Sequence, residues 1–308
     1  MRLWHLIILL VLNFFWAASL SAYKIVEQFL EPGGIVTLRF GIAALPLLLL
    51  WRWLPGAAPR GRDLLLTLAV GLIVFTLGHR CQVWGNRLGT AANSSILMAI
   101  EPLVAAAAAA VFLREHIGPR RWIGFTFGML GVALLNGVWR DNFKWMNLGA
   151  SLLFVASLLC ETSYSIIGKK IMSRDGSPTE PAAASSSVSP IKILSPALVT
   201  GTMANLVIDG PTTFAAAYKM PAHGWWLLLG LALVCTTFGY SFWFLVIREG
   251  EVNVAALTLF AQPVFGVALA KFWLDETLHW GQLWGSVAII VGLVIGLSRQ
   301  IKSHGQTG

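Results

Sequence analysis

Ten long apolar stretches, separated by polar or helix-breaking residues, make up nearly the whole chain. They lie at residues 3–26, 33–54, 63–84, 91–113, 119–138, 147–170, 192–217, 224–246, 252–273 and 280–298. A helix of about 20 apolar residues is long enough to cross the hydrocarbon core of a bilayer. The pattern therefore predicts an all-α integral membrane protein with ten transmembrane helices.

The second half of the chain repeats the first at an offset of 161 residues. The aligned pairs are Gly78 and Gly239, Arg87 and Arg248, Gly89 and Gly250, Pro102 and Pro263, Glu115 and Glu276, Gly124 and Gly285, and Gly131 and Gly292. Each half holds five spans, and this odd number makes the second half enter the membrane from the opposite face. We therefore predict two inverted-topology five-helix repeats, with a substrate cavity between them, as in many transporters.

The predicted domains follow this repeat. Residues 1–138 form the first five-helix repeat, residues 139–172 begin the second with the sixth span, and residues 191–298 complete it. Residues 173–190 are rich in Ser, Ala and Pro, and we interpret them as a disordered cytoplasmic linker. Residues 299–308 are predicted to be a cytoplasmic tail.

Composition and charge agree with a membrane protein. The chain is 56% hydrophobic and 12% charged, with a mean hydropathy of +0.72. The net charge of +8 is spread over loops rather than a patch, so no nucleic-acid partner is expected. With the N-terminus inside, 14 Lys and Arg residues fall on the inner side and 7 on the outer side. The positive-inside rule then predicts that both termini face the cytoplasm.

Several short motifs carry a resemblance to a known family. They are Asn13-Phe14-Phe15-Trp16 with Lys24 in the first span, Arg39 in the second, the pairs Glu101-Pro102 and Gln262-Pro263, and the Leu-x-Glu motifs at 113–115 and 274–276. By these motifs the chain resembles the drug/metabolite transporter superfamily, in its EamA-like branch. Its length and aromatic content are most similar to those of a bacterial aromatic amino acid exporter.

The resemblance covers nearly the whole chain, and its implications for the fold are more specific than those for the substrate, because the superfamily carries many metabolites on one scaffold. It implies a multi-pass protein of the bacterial inner membrane that exports small apolar metabolites, aromatic amino acids first among them. Its expected partners are that small-molecule substrate and the lipid bilayer.

Two prolines occupy matching positions in the middle of the fourth and ninth spans. A proline removes a backbone hydrogen bond and bends a helix. Pro102 and Pro263 are therefore candidate hinges, with a fixed packing bend as the alternative. Glu101 and Gln262 precede them, and because a carboxylate in lipid is costly, Glu101 is expected to face a wet cavity or a partner.

Polar and aromatic side chains inside the spans are candidates for substrate binding. Histidine titrates near neutral pH and can bond a carboxylate or stack on a ring, and His79 aligns with Tyr240 in the repeat. The predicted substrate-binding residues are Trp16, His79, Glu101, Tyr164, Tyr240, Trp243 and Gln262. Glu161 is a second acid in a span, able to hold an amine, carry a proton or pair with a base such as Arg39.

Glycines four residues apart recur in the fifth and tenth spans, at 124 and 128 and at 292 and 296. This spacing lets helices approach closely. We expect it to serve packing within the chain. A homodimer through the fifth and tenth helices is the alternative.

Three alternatives to an aromatic amino acid exporter remain open. A dominant acid in the pore would favour cationic drugs, whereas nucleotide sugars would need clustered bases, which the spans lack. An intramembrane enzyme is the third, but we find no catalytic motif. The cysteines Cys81, Cys160 and Cys235 lack metal-ligand spacing, so neither a metal nor a cofactor is expected.

Overall fold

A computed structural model describes residues 3–88, 97–140, 148–173, 188–274 and 280–302 of the chain. These ranges hold ten long helices: α1 (Leu3–Val26), α2 (Pro32–Leu49), α3 (Gly61–Leu88), α4 (Glu101–Leu113), α5 (Pro119–Leu135), α6 (Leu148–Ser173), α7 (Pro190–Ala217), α8 (Ala222–Glu249), α9 (252–274) and α10 (Trp280–Lys302). Within the described ranges the extended pairing is a single isolated bridge between Ala57 and Val188. The all-α class predicted from the hydrophobic pattern is therefore confirmed over these residues.

Seven of these helices are long and apolar enough to cross a membrane. They are α2, α3, α6, α7, α8, the part Val252–Leu269 of α9 and the part Trp280–Ser298 of α10. α1 has 24 residues, Leu3–Val26, and α4 is a shorter apolar helix at Glu101–Leu113. Each predicted span thus contains one helix in the part of the chain that is described.

Some sequence predictions fall on residues outside the described ranges. They concern Gly89, Glu276, the start of the fourth span at residues 91–96, residues 174–187 of the linker, and the side chain of Lys24. They stay predictions.

The chain divides into two compact units, and each unit draws on both halves of the sequence. Unit 1 comprises residues 1–18, 85–158 and 249–308, and unit 2 comprises residues 19–84 and 159–248. The boundaries of the compact units therefore differ from those of the sequence repeats, which stay a prediction from the aligned pairs.

Glycines bring α5 and α10 into close contact in unit 1. A Cβ added at Gly124 would lie 2.9 Å from the carbonyl oxygen of Gly292, and one at Gly131 would lie 2.6 Å from that of Gly285. Such approaches are possible only where a side chain is missing. The expected use of these glycines in packing within the chain is confirmed.

A second close approach joins α3 and α7 in unit 2. A Cβ at Gly71 would lie 2.4 Å from the carbonyl oxygen of Ala197, and one at Gly201 would lie 2.8 Å from that of Gly71. Further along, α7 is kinked at Asp209, whose φ of −143° and ψ of 17° are not helical. The Asp209 carboxylate accepts hydrogen bonds from Arg80 at 2.6 Å and Thr37 at 2.8 Å, so the kink is anchored to α3 and α2.

Helices α3 and α8 each contain one π-helical turn, at Ile73–Gly78 and Leu233–Phe238. Within one residue, these turns occupy corresponding positions in the two sequence repeats. A π-helical turn is uncommon and often marks a functional site. Neither turn was predicted from the sequence, because a π-helical turn differs from an α-helix in its backbone hydrogen bonds and not in its hydropathy. They end immediately before His79 and Gly239, and so set the direction of His79 and Tyr240.

The backbone is also irregular before both candidate hinge prolines. Residues 99–100 form a turn, and α4 starts at Glu101 with Pro102 in its first helical turn. In α9 a 3₁₀ turn at Thr258–Phe260 comes just before Pro263. Both prolines therefore lie in the first turn of the regular helix that follows the irregular residues, and their role as hinges stays a prediction.

Candidate functional site

Three polar side chains from three helices meet in unit 2. Nε2 of His79, on α3, lies 2.8 Å from Oε1 of Glu161, on α6. The hydroxyl of Tyr240, on α8, lies 3.0 Å from the same nitrogen and donates to both carboxylate oxygens of Glu161, at 3.2 and 3.1 Å. His79 is 3% exposed and Tyr240 is 8% exposed. The acid in the sixth span therefore has buried partners, as an ionisable group among apolar helices requires.

One nitrogen of this cluster has no hydrogen-bond partner among the residues that the structure describes. The other ring nitrogen of His79, Nδ1, is buried and makes no hydrogen bond in the structure. A buried polar atom without a partner costs free energy. An incoming polar group that reached Nδ1 would remove that cost.

Aromatic rings surround the polar cluster on several sides. Tyr164 and Phe244 stack with ring centroids 4.0 Å apart and an interplanar angle of 5°. Tyr164 also meets Tyr240 edge to face at 4.9 Å, and Phe75 meets Tyr240 in the same way at 5.3 Å. Phe40 lies 4.7 Å from the His79 ring. Offset and edge-to-face contacts are the favourable geometries for aromatic pairs, so these rings stabilise one another around the polar cluster.

Trp243 lies on the same helix as Tyr240 and is 6% exposed. Its indole Nε1 donates a hydrogen bond to the Ser165 hydroxyl on α6, at 2.9 Å. The structure thus places four of the seven predicted substrate-binding residues, His79, Tyr164, Tyr240 and Trp243, in unit 2 with Glu161.

The other three predicted residues, Trp16, Glu101 and Gln262, belong to unit 1. Gln262 donates from Nε2 to Oδ1 of Asn13 at 3.0 Å, and Asn13 donates to the Thr258 hydroxyl at 3.2 Å. Trp16 and Glu101 are each partly buried. Their roles in substrate binding stay predictions.

Arg39, which the sequence offered only as a possible partner of Glu161, also lies in unit 2. It is 4% exposed, its Nε donates to the Thr236 hydroxyl at 2.7 Å, and its Nη1 donates to the Tyr23 hydroxyl. Its guanidinium also lies over the rings of Phe40 and Tyr23, at 5.2 and 5.4 Å from their centroids. The position of an arginine in the middle of an apolar span is the sequence feature that points to Arg39.

The Leu-x-Glu motif of the first half has a structural use in unit 1. Oε1 and Oε2 of Glu115 accept hydrogen bonds from the backbone N–H groups of Val252, at 2.9 Å, and Asn253, at 3.0 Å. The carboxylate therefore caps the N-terminus of α9, where free N–H groups and the helix dipole favour a negative charge.

Apolar helices that enclose a hydrogen-bonded acid, a base and a buried arginine are typical of a multi-pass membrane protein with a polar cluster inside its spans. The chain belongs to the EamA-like transporter family, whose sequence profile matches residues 3–137 and 148–297. One matched stretch lies in each half, in agreement with an internal duplication.

Individual relatives are similar over nearly the full length. An uncharacterized transporter of Archaeoglobus fulgidus is 24% identical over 96% of this chain and 98% of its own. A probable amino-acid metabolite efflux pump of Salmonella typhimurium is 26% identical over 92% of this chain and 91% of its own. A crystal structure with 14% sequence identity superposes with a TM-score of 0.75 over 98% of this chain and 99% of that one, which shows that the fold is shared.

Proposed function

We propose that this protein is a secondary transporter that exports small apolar metabolites, aromatic amino acids above all, by alternating access. The observation that carries the proposal is the buried cluster of aromatic rings around His79, Glu161 and Tyr240 in unit 2. A substrate with an aromatic ring and a charged head needs both aromatic and polar side chains in its site. Side chains that only face lipid have no need for the polar groups. The name of the Salmonella relative, a probable amino-acid metabolite efflux pump, agrees with this class of cargo.

The stack of Tyr164 on Phe244 shows the geometry available to a substrate ring. A substrate ring that enters this cluster would make similar contacts, each contributing about 0.5–1.5 kcal/mol beyond the buried area. Its ammonium group would bond Glu161. These contacts would offset the several kcal/mol, by order of magnitude, that desolvation of a charged head costs.

The site side chains are buried in this structure, so binding requires the helices around them to move. Alternating access supplies such a movement. We propose that the irregular turns before Pro102 and Pro263 are its hinges. The positive-inside argument puts both termini in the cytoplasm, and the family resemblance implies a location in the bacterial inner membrane.

Uptake of labelled amino acids into liposomes that contain the purified protein tests the proposed function. We expect saturable uptake of phenylalanine and tryptophan and little uptake of serine, since serine has no ring for the aromatic cluster. Liposomes without protein are the control. Equal transport of phenylalanine and serine would contradict the aromatic site and leave the family assignment intact.

Glu161 favours a second candidate, a cationic drug, because a buried carboxylate attracts a cation. Cationic dyes belong in the same assay. Saturable dye transport without transport of phenylalanine would support this alternative over the proposed one.

A further inference from the structure

A guanidinium is buried in the middle of α2, beside the aromatic cluster. Burying a charge among apolar helices is costly unless an opposite charge compensates it. The two side chains that Arg39 donates to, Tyr23 and Thr236, carry neutral hydroxyl groups. Glu161 acts on Arg39 through space, but its oxygens are bonded to His79 and Tyr240. The Arg39 guanidinium therefore donates to neutral hydroxyl groups, and a bound anion would compensate its buried positive charge.

Arg80 shows what a compensated arginine looks like in the same unit. Its Nη2 lies 2.6 Å from Oδ2 of Asp209, and its Nε donates to Asn205 at 2.7 Å. Arg80 is thus neutralised by an acid of the chain itself. The contrast identifies Arg39, and not Arg80, as the arginine with capacity for an anionic ligand.

The surroundings of Arg39 narrow the class of that ligand. Its guanidinium lies over the Phe40 ring, and the Phe40 ring contacts His79, which holds Glu161. A guanidinium has five N–H donors in a planar fork that matches a carboxylate. A fixed positive group, a separate acid and aromatic rings together complement a zwitterion that carries an aromatic ring.

We propose that Arg39 binds the carboxylate of the transported molecule, so that the protein selects aromatic amino acids and aromatic acids over aromatic amines. This inference rests on the proposed function, because it assigns one end of that substrate. The opposing explanation is that Arg39 only ties α1, α2 and α8 together through Tyr23 and Thr236. The two explanations differ in ligand preference, since a tie between helices does not distinguish an acid from an amine.

Two analogues of phenylalanine separate them: 3-phenylpropanoate lacks the amine and phenethylamine lacks the carboxylate. In liposomes that contain the full-length protein, both compete with labelled phenylalanine. Glu161 already has bonded partners in His79 and Tyr240, whereas Arg39 donates to hydroxyl groups, so the carboxylate contact should contribute more than the ammonium contact. We therefore expect 3-phenylpropanoate to inhibit at a concentration about tenfold or more below that of phenethylamine. An amine that competes as well as the acid would overturn the role of Arg39.

Ligand-induced increases in Tm extend the comparison to variants, because a ligand that binds the folded state stabilises it. In Arg39→Gln we expect the preference for 3-phenylpropanoate to collapse to within about twofold of phenethylamine. Arg80→Gln is the matched control and should keep the preference even if its own Tm is lower. A preference that persists in Arg39→Gln would contradict the proposal.

Arg39→Lys covers the case in which Arg39→Gln does not fold. Lysine keeps the charge but loses the planar fork, so 3-phenylpropanoate should bind several-fold more weakly while phenethylamine binds as before. Unchanged binding of both ligands would overturn the proposal. If the parent protein shows no saturable phenylalanine uptake at all, the proposed function fails together with the role of Arg39. Saturable phenylalanine uptake without a preference for 3-phenylpropanoate over phenethylamine contradicts only the role of Arg39.

Discussion

His79 and Tyr240 occupy corresponding positions in the two sequence repeats, and their side chains are hydrogen-bonded to each other at 3.0 Å. The repeat alone placed them in equivalent helices and could not show that they touch. Glu161, on α6, lies outside the aligned pairs. Its carboxylate contacts His79 from the first half and Tyr240 from the second. Because these contacts involve individual hydroxyl and ring-nitrogen atoms, substitutions that remove a single atom can test them.

Removing the Tyr240 hydroxyl should weaken transport without unfolding the protein. Tyr240→Phe keeps the ring contacts and deletes the bonds to Glu161 and His79. A hydrogen bond to a charged group contributes about 1.5–3 kcal/mol, so we expect the KM for phenylalanine to rise by about tenfold. Uptake kinetics in liposomes measure it.

Tyr164→Phe is the matched control, because the Tyr164 hydroxyl makes only a long contact of 3.4 Å with the Tyr240 carbonyl oxygen. It should transport at nearly the parent rate. Equal effects of the two substitutions would show that the hydroxyl bonds to Glu161 do not matter for transport.

At the level of the helices, glycines bring two pairs of elements into close contact. The glycine faces of α5 and α10 meet backbone to backbone in unit 1, as those of α3 and α7 do in unit 2. In lipid the hydrophobic effect does not drive helices together, so close van der Waals contact has to do so. These glycines pack against each other within the chain, and a homodimer through α5 and α10 stays an alternative.

A methyl group at one of these contacts should destabilise the protein. In Gly131→Ala the new Cβ would lie 2.6 Å from both the Gly285 carbonyl oxygen and Cγ1 of Ile289. Overpacking of this kind costs about 1–3 kcal/mol. We expect a lower Tm in thermal unfolding of the detergent-solubilised protein.

Gly230→Ala is the paired substitution, in α8, where an added Cβ has no atom within 4 Å. Alanine favours helix by about 1 kcal/mol over glycine, so its Tm should stay level or rise. If both variants unfold at the same temperature, close packing at Gly131 does not limit stability.

The hinge prolines belong to the same scale. Pro102→Ala and Pro263→Ala restore a backbone donor next to each irregular turn, so we expect slower transport at unchanged expression. Pro46→Ala, inside α2, is the control and should leave the rate unchanged. Parent rates in both hinge variants would make the prolines packing features only.

For the whole molecule, the charge distribution predicts the orientation in the membrane. Ser173, at the end of α6, should be cytoplasmic, and Tyr218, 92% exposed after α7, should be on the outer side. In a cysteine-free background, Ser173→Cys and Tyr218→Cys should react with an impermeant thiol reagent from opposite sides of the membrane. Labelling from the same side would contradict the inverted topology.

The hydrophobic pattern is enough to predict the number of helices and their approximate ends, because a bilayer requires only that each span be apolar on average. The aligned pairs predict the duplication. The sequence also predicts His79, Tyr164, Tyr240 and Trp243 as substrate-binding residues, because polar atoms in apolar spans are costly unless they are paired or functional; that role stays a prediction. Only the tertiary structure decided that His79, Glu161 and Tyr240 touch, that Arg39 has hydroxyl partners, and that π-helical turns precede the site. These features depend on how each helix is rotated about its axis. Close glycine contacts and π-helical turns set that rotation, and neither can be read from the hydropathy of the sequence.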